Sequence, residues 1–323
     1  MESGQALVAA VDIGGTKIAG ALVGAEDGSL HHRTERPTRA KEDGEAVLGA
    51  LGEVLAELMA TPDWARVNLV GVGSAGPVDT VRGTVSPVNI PGWRDFPVVS
   101  EVGRLVGGLP VVLTGDGVAM TAAEHWRGAA RGFHNALCMV VSTGVGGGLV
   151  LNGALYPGPT GNAGHIGHIS VDLDGDPCPC GSRGCLEGLA SGTAIARHAL
   201  AAGWRPKSAG LVDISGGATA VAVAAAAREG DPRALAAFAR AGQALAAGIA
   251  ATTTLVELDV VVIGGGVAQS GDLLLGPLRA RLSEYATLSY VRGLRVCLAE
   301  LSTGAGLVGA AAAALWATGT TVK

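Results

Sequence analysis

His168, Cys178, Cys180 and Cys185 follow one another with nine, one and four residues between them. One imidazole and three thiolates complete a tetrahedral set for Zn2+, and a set closed by four protein ligands is structural, with no open position for a catalytic water. The Asp-, Pro- and Gly-rich stretch 172–184 has little apolar material to fold around, so a metal would order it. A group of unrelated thiols is the alternative. Cys138 and Cys297 lie in apolar runs and read as core.

Three glycine clusters offer backbone to a phosphate. In Asp12-Ile13-Gly14-Gly15-Thr16-Lys17, glycines without a Cβ let N–H groups approach an anion. Thr16 and Lys17 add a hydroxyl and a charge, and Asp12 sits where it could hold a water of Mg2+. An ordinary hairpin turn reads the same way, and the spacing is neither that of a P-loop nor a dinucleotide fingerprint. The second cluster runs from Ser142 to Gly148, with Thr143, Gly144 and Gly146 available to the same ligand and more glycine than a hairpin needs. The third, Gly264-Gly265-Gly266, follows an apolar strand and precedes a helix, where a tight strand–helix turn is the competing explanation.

Two carboxylates complete the candidates. Asp116 closes the strand Val111–Thr114 and opens a helix, a place from which it could take a proton from a substrate hydroxyl. Asp also favours the N-cap of a helix, which is the plainer reading of this position taken alone. Glu187, two residues past Cys185, is a carboxylate held by the metal loop and suited to sugar hydroxyls; a solvated side chain is its alternative.

The elements that must position these groups alternate between strand and helix. Residues 6–24 and 136–151 each read as apolar strand, polar glycine turn and returning strand. The same pattern twice, about 130 residues apart, suggests two related lobes. Val47, Leu48, Leu51, Val54, Leu55 and Leu58 share one helical face over 45–60. Residues 67–73, 110–114 and 259–263 read as buried strands, 232–254 as a long Ala-rich helix and 305–317 as a closing helix. Such alternation argues for an α/β protein with helices on both sheet faces.

Bulk properties bound the function classes. The 323 residues favour two modest domains or one large one. A chain 48% hydrophobic and 16% charged can bury a large core. With a net charge of −5 and no long basic stretch, no nucleic-acid partner is expected. Met1-Glu2-Ser3 lacks the basic start of a secretory signal, and no stretch reads as a membrane span, so a cytoplasmic protein with no membrane partner is expected. Five cysteines are too few for a disulfide scaffold in a chain of this size.

Taken together, the chain resembles the ROK family (repressors, open reading frames and kinases). The resemblance is carried by Asp12 to Lys17, by Gly73-Ser74-Ala75-Gly76-Pro77-Val78-Asp79, by Asn89-Ile90-Pro91-Gly92-Trp93 and by Ser142 to Gly148. It continues through Gly161-Asn162-Ala163-Gly164-His165-Ile166-Gly167-His168, the cysteines, Glu187, the third glycine cluster and Gly306 to Ala311, and so covers essentially the whole chain. The zinc segment is highly specific to that family; the glycine turns are shared with the wider hexokinase–actin fold. The resemblance implies a two-lobed, ribonuclease H-like α/β fold, with a small lobe of 1–117 plus 304–323 and a large lobe of 118–303 carrying a zinc loop at 165–187. It also implies ATP with Mg2+ in a cleft, a sugar at the hinge, and a homo-oligomer, dimer or tetramer.

Residue by residue, the resemblance makes Asp116 the base for the 6-hydroxyl of a hexose or amino-hexose. Gly76, Asn89, Gly115, His165, His168 and Glu187 would line the sugar site, with Glu187 near C1 and C2. Asp12, Gly14, Gly15, Thr16, Lys17, Thr143, Gly144, Gly146, Gly265 and Gly266 would face ATP. Two positions depart from the family pattern: Gly115 stands where Asn is usual, and His165 where Glu is usual. In relatives both resemble binders of the hydroxyls around C3 and C4. A site built for a hydroxyl discriminates strongly, so these changes favour a hexose altered near C3, with 3-amino-3-deoxyglucose (kanosamine) first and glucose next. The competing function is a non-catalytic sugar-sensing protein. Family repressors carry an N-terminal DNA-binding module; with about six residues before the first strand, none is expected here.

Overall fold

The structure is a computed structural model that describes residues 5–206, 219–301 and 304–320. Met1-Glu2-Ser3, on which the expectation about a secretory signal rests, lies outside the described residues. The elements are β1 Leu7–Ile13, β2 Lys17–Gly24, β3 Leu30–Pro37, α1 Gly44–Met59, β4 Val67–Ser74, β5 Val78–Asp79, β6 Thr84–Val85, α2 Val98–Leu105, β7 Val111–Gly115 and α3 Asp116–Arg127. They continue with β8 Ala136–Val141, β9 Val145–Leu151, β10 Ala154–Tyr156, α4 Glu187–Ala190, α5 Gly192–Ala201, α6 Ala220–Arg228 and α7 Pro232–Val256. The last are β11 Val260–Gly264, α8 Asp272–Tyr285, β12 Arg295–Leu298 and α9 Ala305–Ala317.

Two five-stranded sheets share one topology. The first runs β3-β2-β1-β4-β7 and the second β10-β9-β8-β11-β12. Numbered from its own first strand, each sheet has the order 3-2-1-4-5. The repeat visible in the two glycine hairpins therefore extends through both sheets.

The chain divides into two compact units. One holds 1–132, 148–164 and 300–323, the other 133–147 and 165–299. This division differs from the boundaries at 117/118 and 303/304 drawn from the sequence. Helix α3 stays with the first unit because it packs along α9. Glycine makes that approach possible, since a Cβ on Gly309 would run into the Ala119 backbone; a Cβ on Gly148 of β9 would likewise meet α3, at Thr121 Oγ1 (2.5 Å) and the Gly117 carbonyl (2.9 Å).

In the first unit, alternation along β1 sorts side chains to two faces. Leu7, Ala9, Val11 and Ile13 pack with Val47, Leu51, Val54, Leu55 and Leu58 of α1. Val8 and Ala10 face the other way, into α3 and the Ala-rich α9. Leu51 and Leu55 are fully buried, and truncating either to Ala would cost roughly 2–5 kcal/mol. Glu124, also fully buried, accepts from the backbone N–H groups of Ala129 (2.8 Å), Glu300 (3.2 Å) and Leu301 (2.8 Å). Its carboxylate ties the end of α3 to the segment that leads into α9.

In the second unit α7 packs on α4, α5, α6 and α8. No membrane span is expected from the sequence, yet among the described residues α7 is one helix long and apolar enough to cross a membrane by length and composition alone. Of its most apolar window, 61% is buried inside the fold, which accounts for its composition as core.

Candidate active site

The first unit gathers its candidate residues at one sheet edge. β1, β4 and β7 are parallel, and Ser74 is paired with Ile13 on one side and Gly115 on the other. The three strands thus end together, and the carboxyl ends of parallel strands are where open α/β sheets bind ligands. Asp12 lies one residue before the end of β1, Gly76 two residues past β4, and Asp116 directly after β7.

Asp116 is the first residue of α3, and Gly115 occupies the N-cap. The carboxylate therefore does not cap the helix as the sequence alone suggested; it is exposed, and its Oδ1 accepts from the Gly117 N–H at 2.7 Å. Asp12 is set deeper. A side chain at Gly306 would collide with its carboxylate, so the first turn of α9 covers it. Burial pushes the Asp12 carboxyl up to about 6; the Asp116 charge adds to the rise and Lys17 opposes it.

The first glycine turn is shorter than the sequence suggests. Asp12 and Ile13 belong to β1 and Lys17 begins β2, which leaves Gly14, Gly15 and Thr16 as the turn. Lys17 reaches across to Glu35 at 2.9 Å and, with both side chains exposed, holds the Glu35 carboxyl below its usual range. Asn89 packs on the turn, because a Cβ at Gly15 would run into its amide. The Gly76–Pro77 bond is cis, and the Asn162 side chain accepts from the Val78 N–H and donates to the Val78 carbonyl in the same loop.

The second unit carries the remaining candidates. Here the glycine turn is 142–144, and Gly146 to Gly148 belong to β9. Thr143 is exposed at the tip, with its carbonyl accepting from Thr193 Oγ1 at 2.6 Å, while Ser142 accepts from the Gly192 N–H at 2.7 Å. β8 and β11 are parallel neighbours, so the third cluster lies beside this turn. Gly265 has φ +92 and its Cβ would strike the Val141 backbone; Gly266 faces open space. A 3-10 turn, Ala268–Ser270, comes before α8, where the sequence suggested a helix directly.

Glu187 opens α4, and its Oε2 accepts from the Val145 N–H at 2.9 Å. It is half-buried and bound to the turn, not solvated. A Cβ at Gly144 would lie 2.5 Å from that same oxygen. Gly144 thus has a local reason to be glycine, whether or not it meets a phosphate.

His168, Cys178, Cys180 and Cys185 converge, with one ligand atom from each and all four atoms within 4.8 Å of one another. His168 Nδ1 is 3.8 Å from Cys178 Sγ, and the sulfurs of Cys180 and Cys185 are 3.7 Å apart. Ligands about 2.3 Å from a central ion stand about 3.8 Å apart at tetrahedral angles, so the set fits Zn2+. Burial, followed by the neighbouring sulfurs of Cys178 and Cys180, pushes the Cys185 thiol up to about 12. Three sulfurs this close carry three negative charges only beside a cation. His165 lies on the adjoining turn, exposed, with its ring 6.3 Å from that of His168 and nearly parallel to it.

Two sheets of 3-2-1-4-5 order, each with a glycine hairpin between its first two strands, define the hexokinase–actin-like (ribonuclease H-like) fold. The chain belongs to the ROK family, whose model matches residues 8–317. It is 36% identical over 307 residues to a glucokinase of Thermotoga maritima, covering 93% of this chain and 95% of that one. It is 37% identical over 313 residues to an N-acetylmannosamine kinase of Yersinia pestis, covering 95% and 97%. Among solved structures, a ROK glucokinase of Streptomyces griseus in complex with glucose and AMPPNP superposes with a TM-score of 0.80 at 35% identity, covering 96% of this chain and 99% of that one.

Proposed function

We propose that this protein transfers the γ-phosphoryl group of ATP to the 6-hydroxyl of a hexose or amino-hexose. The observation that carries this reading is Asp116, an exposed carboxylate fixed by the Gly117 N–H at the strand edge that also bears Asp12 and the first glycine turn. The kinase names of the relatives support it.

In this reading Asp116 takes the proton of the attacking hydroxyl as the oxygen bonds to the γ-phosphorus and ADP departs in line. The transition state asks little covalent chemistry of a protein, so positioning and charge neutralisation set the rate. Gly14 to Lys17, Thr143, Gly144, Gly146, Gly265 and Gly266 face the nucleotide. Mg2+, held through Asp12, would neutralise charge on the phosphates. Gly76, Asn89, Gly115, His165, His168 and Glu187 bind the sugar. Zn2+ in the His168–Cys185 set would hold the loop that presents His168 and Glu187, without a chemical role of its own.

Gly115 and His165 supply neither an amide nor a carboxylate at their positions, and for that reason a hexose modified at C3, 3-amino-3-deoxyglucose above all, ranks ahead of glucose. The test is ADP release from Mg-ATP over glucose, mannose, glucosamine, N-acetylmannosamine and 3-amino-3-deoxyglucose. Preference for the 3-amino sugar supports the C3 reading, preference for glucose removes it, and sugar binding without turnover identifies a sensor.

A further inference from the structure

Thr38 lies one residue beyond β3 and is completely buried, although it sits in a polar stretch between Pro37 and Arg39. Its hydroxyl and its backbone N–H are both spent on the first glycine turn. Its hydroxyl donates to the Gly14 carbonyl at 2.6 Å, and its backbone N–H donates to the Thr16 carbonyl at 3.0 Å. The turn is closed on its other side by the Gly14 N–H, which donates to the Lys17 carbonyl at 3.0 Å.

A peptide unit is planar and trans, so its C=O and N–H point in opposite directions. Holding the Gly14 carbonyl on Thr38 therefore aims the Gly15 N–H away from Thr38. Among the described residues the N–H groups of Gly15 and Thr16 have no hydrogen-bond partner. Gly14 and Gly15 lack the side chains that would otherwise restrict their backbone, so the unit joining them could rotate and present its carbonyl oxygen where an anion needs a donor. The Thr38 hydroxyl opposes that rotation.

We infer that Thr38 is a positioning residue: it fixes the orientation of the Gly14–Gly15 peptide so that the turn presents N–H groups, not carbonyl oxygens, to the phosphates of the nucleotide. The inference rests on the reading of this turn as a nucleotide site. Thr38 itself touches neither phosphate nor sugar; it acts through the turn.

The experiment compares Mg-ADP and sugar affinity by calorimetry in the wild type, Thr38→Val and Thr38→Ser, with Tm recorded for each. Thr38→Val keeps size and the backbone N–H but loses the hydroxyl donor; Thr38→Ser restores the donor. The expected result is about tenfold weaker Mg-ADP binding by the valine variant, the order of one buried hydrogen bond. Sugar affinity stays unchanged, and the serine variant returns to within about twofold of the wild type. Thr38→Ala, which adds no volume, replaces the valine variant if that chain fails to fold. Unaltered Mg-ADP affinity in the hydroxyl-free variant overturns the role of Thr38, as does an equal loss of sugar affinity. A wild type that binds sugar but no Mg-ADP fails at the earlier step, the nucleotide reading itself, and takes this inference with it.

Discussion

Glu187 accepts a hydrogen bond from the Val145 backbone at 2.9 Å, which joins the helix after the metal loop to the second glycine turn. The bond passes over Gly144, whose missing Cβ is what admits the carboxylate. Gly144→Ala places a methyl 2.5 Å from Glu187 Oε2 and must displace it. The expected cost is roughly 1–3 kcal/mol of stability with a raised KM for the sugar. Gly146→Ala meets nothing within 4 Å and changes stability by less than about 0.5 kcal/mol. Urea denaturation and steady-state kinetics on the two variants distinguish the positions.

Asp12 gives a pH dependence with a definite sign. Its folded pKa of about 6 lies above the ordinary aspartate value of 3.8, so between those values the folded chain holds a proton that the unfolded chain has lost. Stability from this group is greatest below the lower value, declines as pH rises through the window and levels off above about 6. Asp116→Asn removes the second cause of the shift and lowers the Asp12 pKa. Carboxyl NMR titration of wild type and variant checks both statements.

If the His168–Cys185 set holds the proposed Zn2+, removing that ion should unfold the loop. Chelation, or Cys178→Ser, is expected to lower Tm by several degrees and to make Cys178, Cys180 and Cys185 accessible to a thiol reagent, because structural zinc contributes directly to folding. Metal analysis of the purified protein, with a thiol count before and after chelation, reads both effects. Restoring Zn2+ should reverse them.

Glu124→Ala leaves three part-buried N–H groups without their acceptor and is expected to cost about 1–3 kcal/mol. Glu124→Gln keeps one acceptor oxygen and should cost less. Denaturant titration of the two variants tests whether this carboxylate anchors the approach to α9.

The hairpins, the buried strands and α9 are legible in the sequence because their apolar runs are bounded by glycine and polar residues. The metal set is legible too, since its four side chains lie close along the chain. The extent of the glycine turns is not. Gly148 reads as turn but is strand, kept small by Thr121 and Gly117, and Gly265 is required by the Val141 backbone. Those reasons arise from packing between segments far apart in sequence. Thr38 gives no local signal, because its partners lie across two strands. Glu124 is not among the sequence candidates, and a charged side chain gives no sign of burial by its type, although Ala122, Ala123 and Trp126 around it are buried. The contact between Glu187 and Val145 depends on backbone, which side-chain chemistry alone does not locate.

Asp116→Asn, assayed with Mg-ATP and the preferred sugar, tests the central claim most directly. The account predicts that kcat falls by about 10²–10⁴-fold, the contribution of a general base, while the sugar Kd stays within about threefold of the wild type. A variant that keeps more than about a tenth of the wild-type kcat would contradict Asp116 as the base.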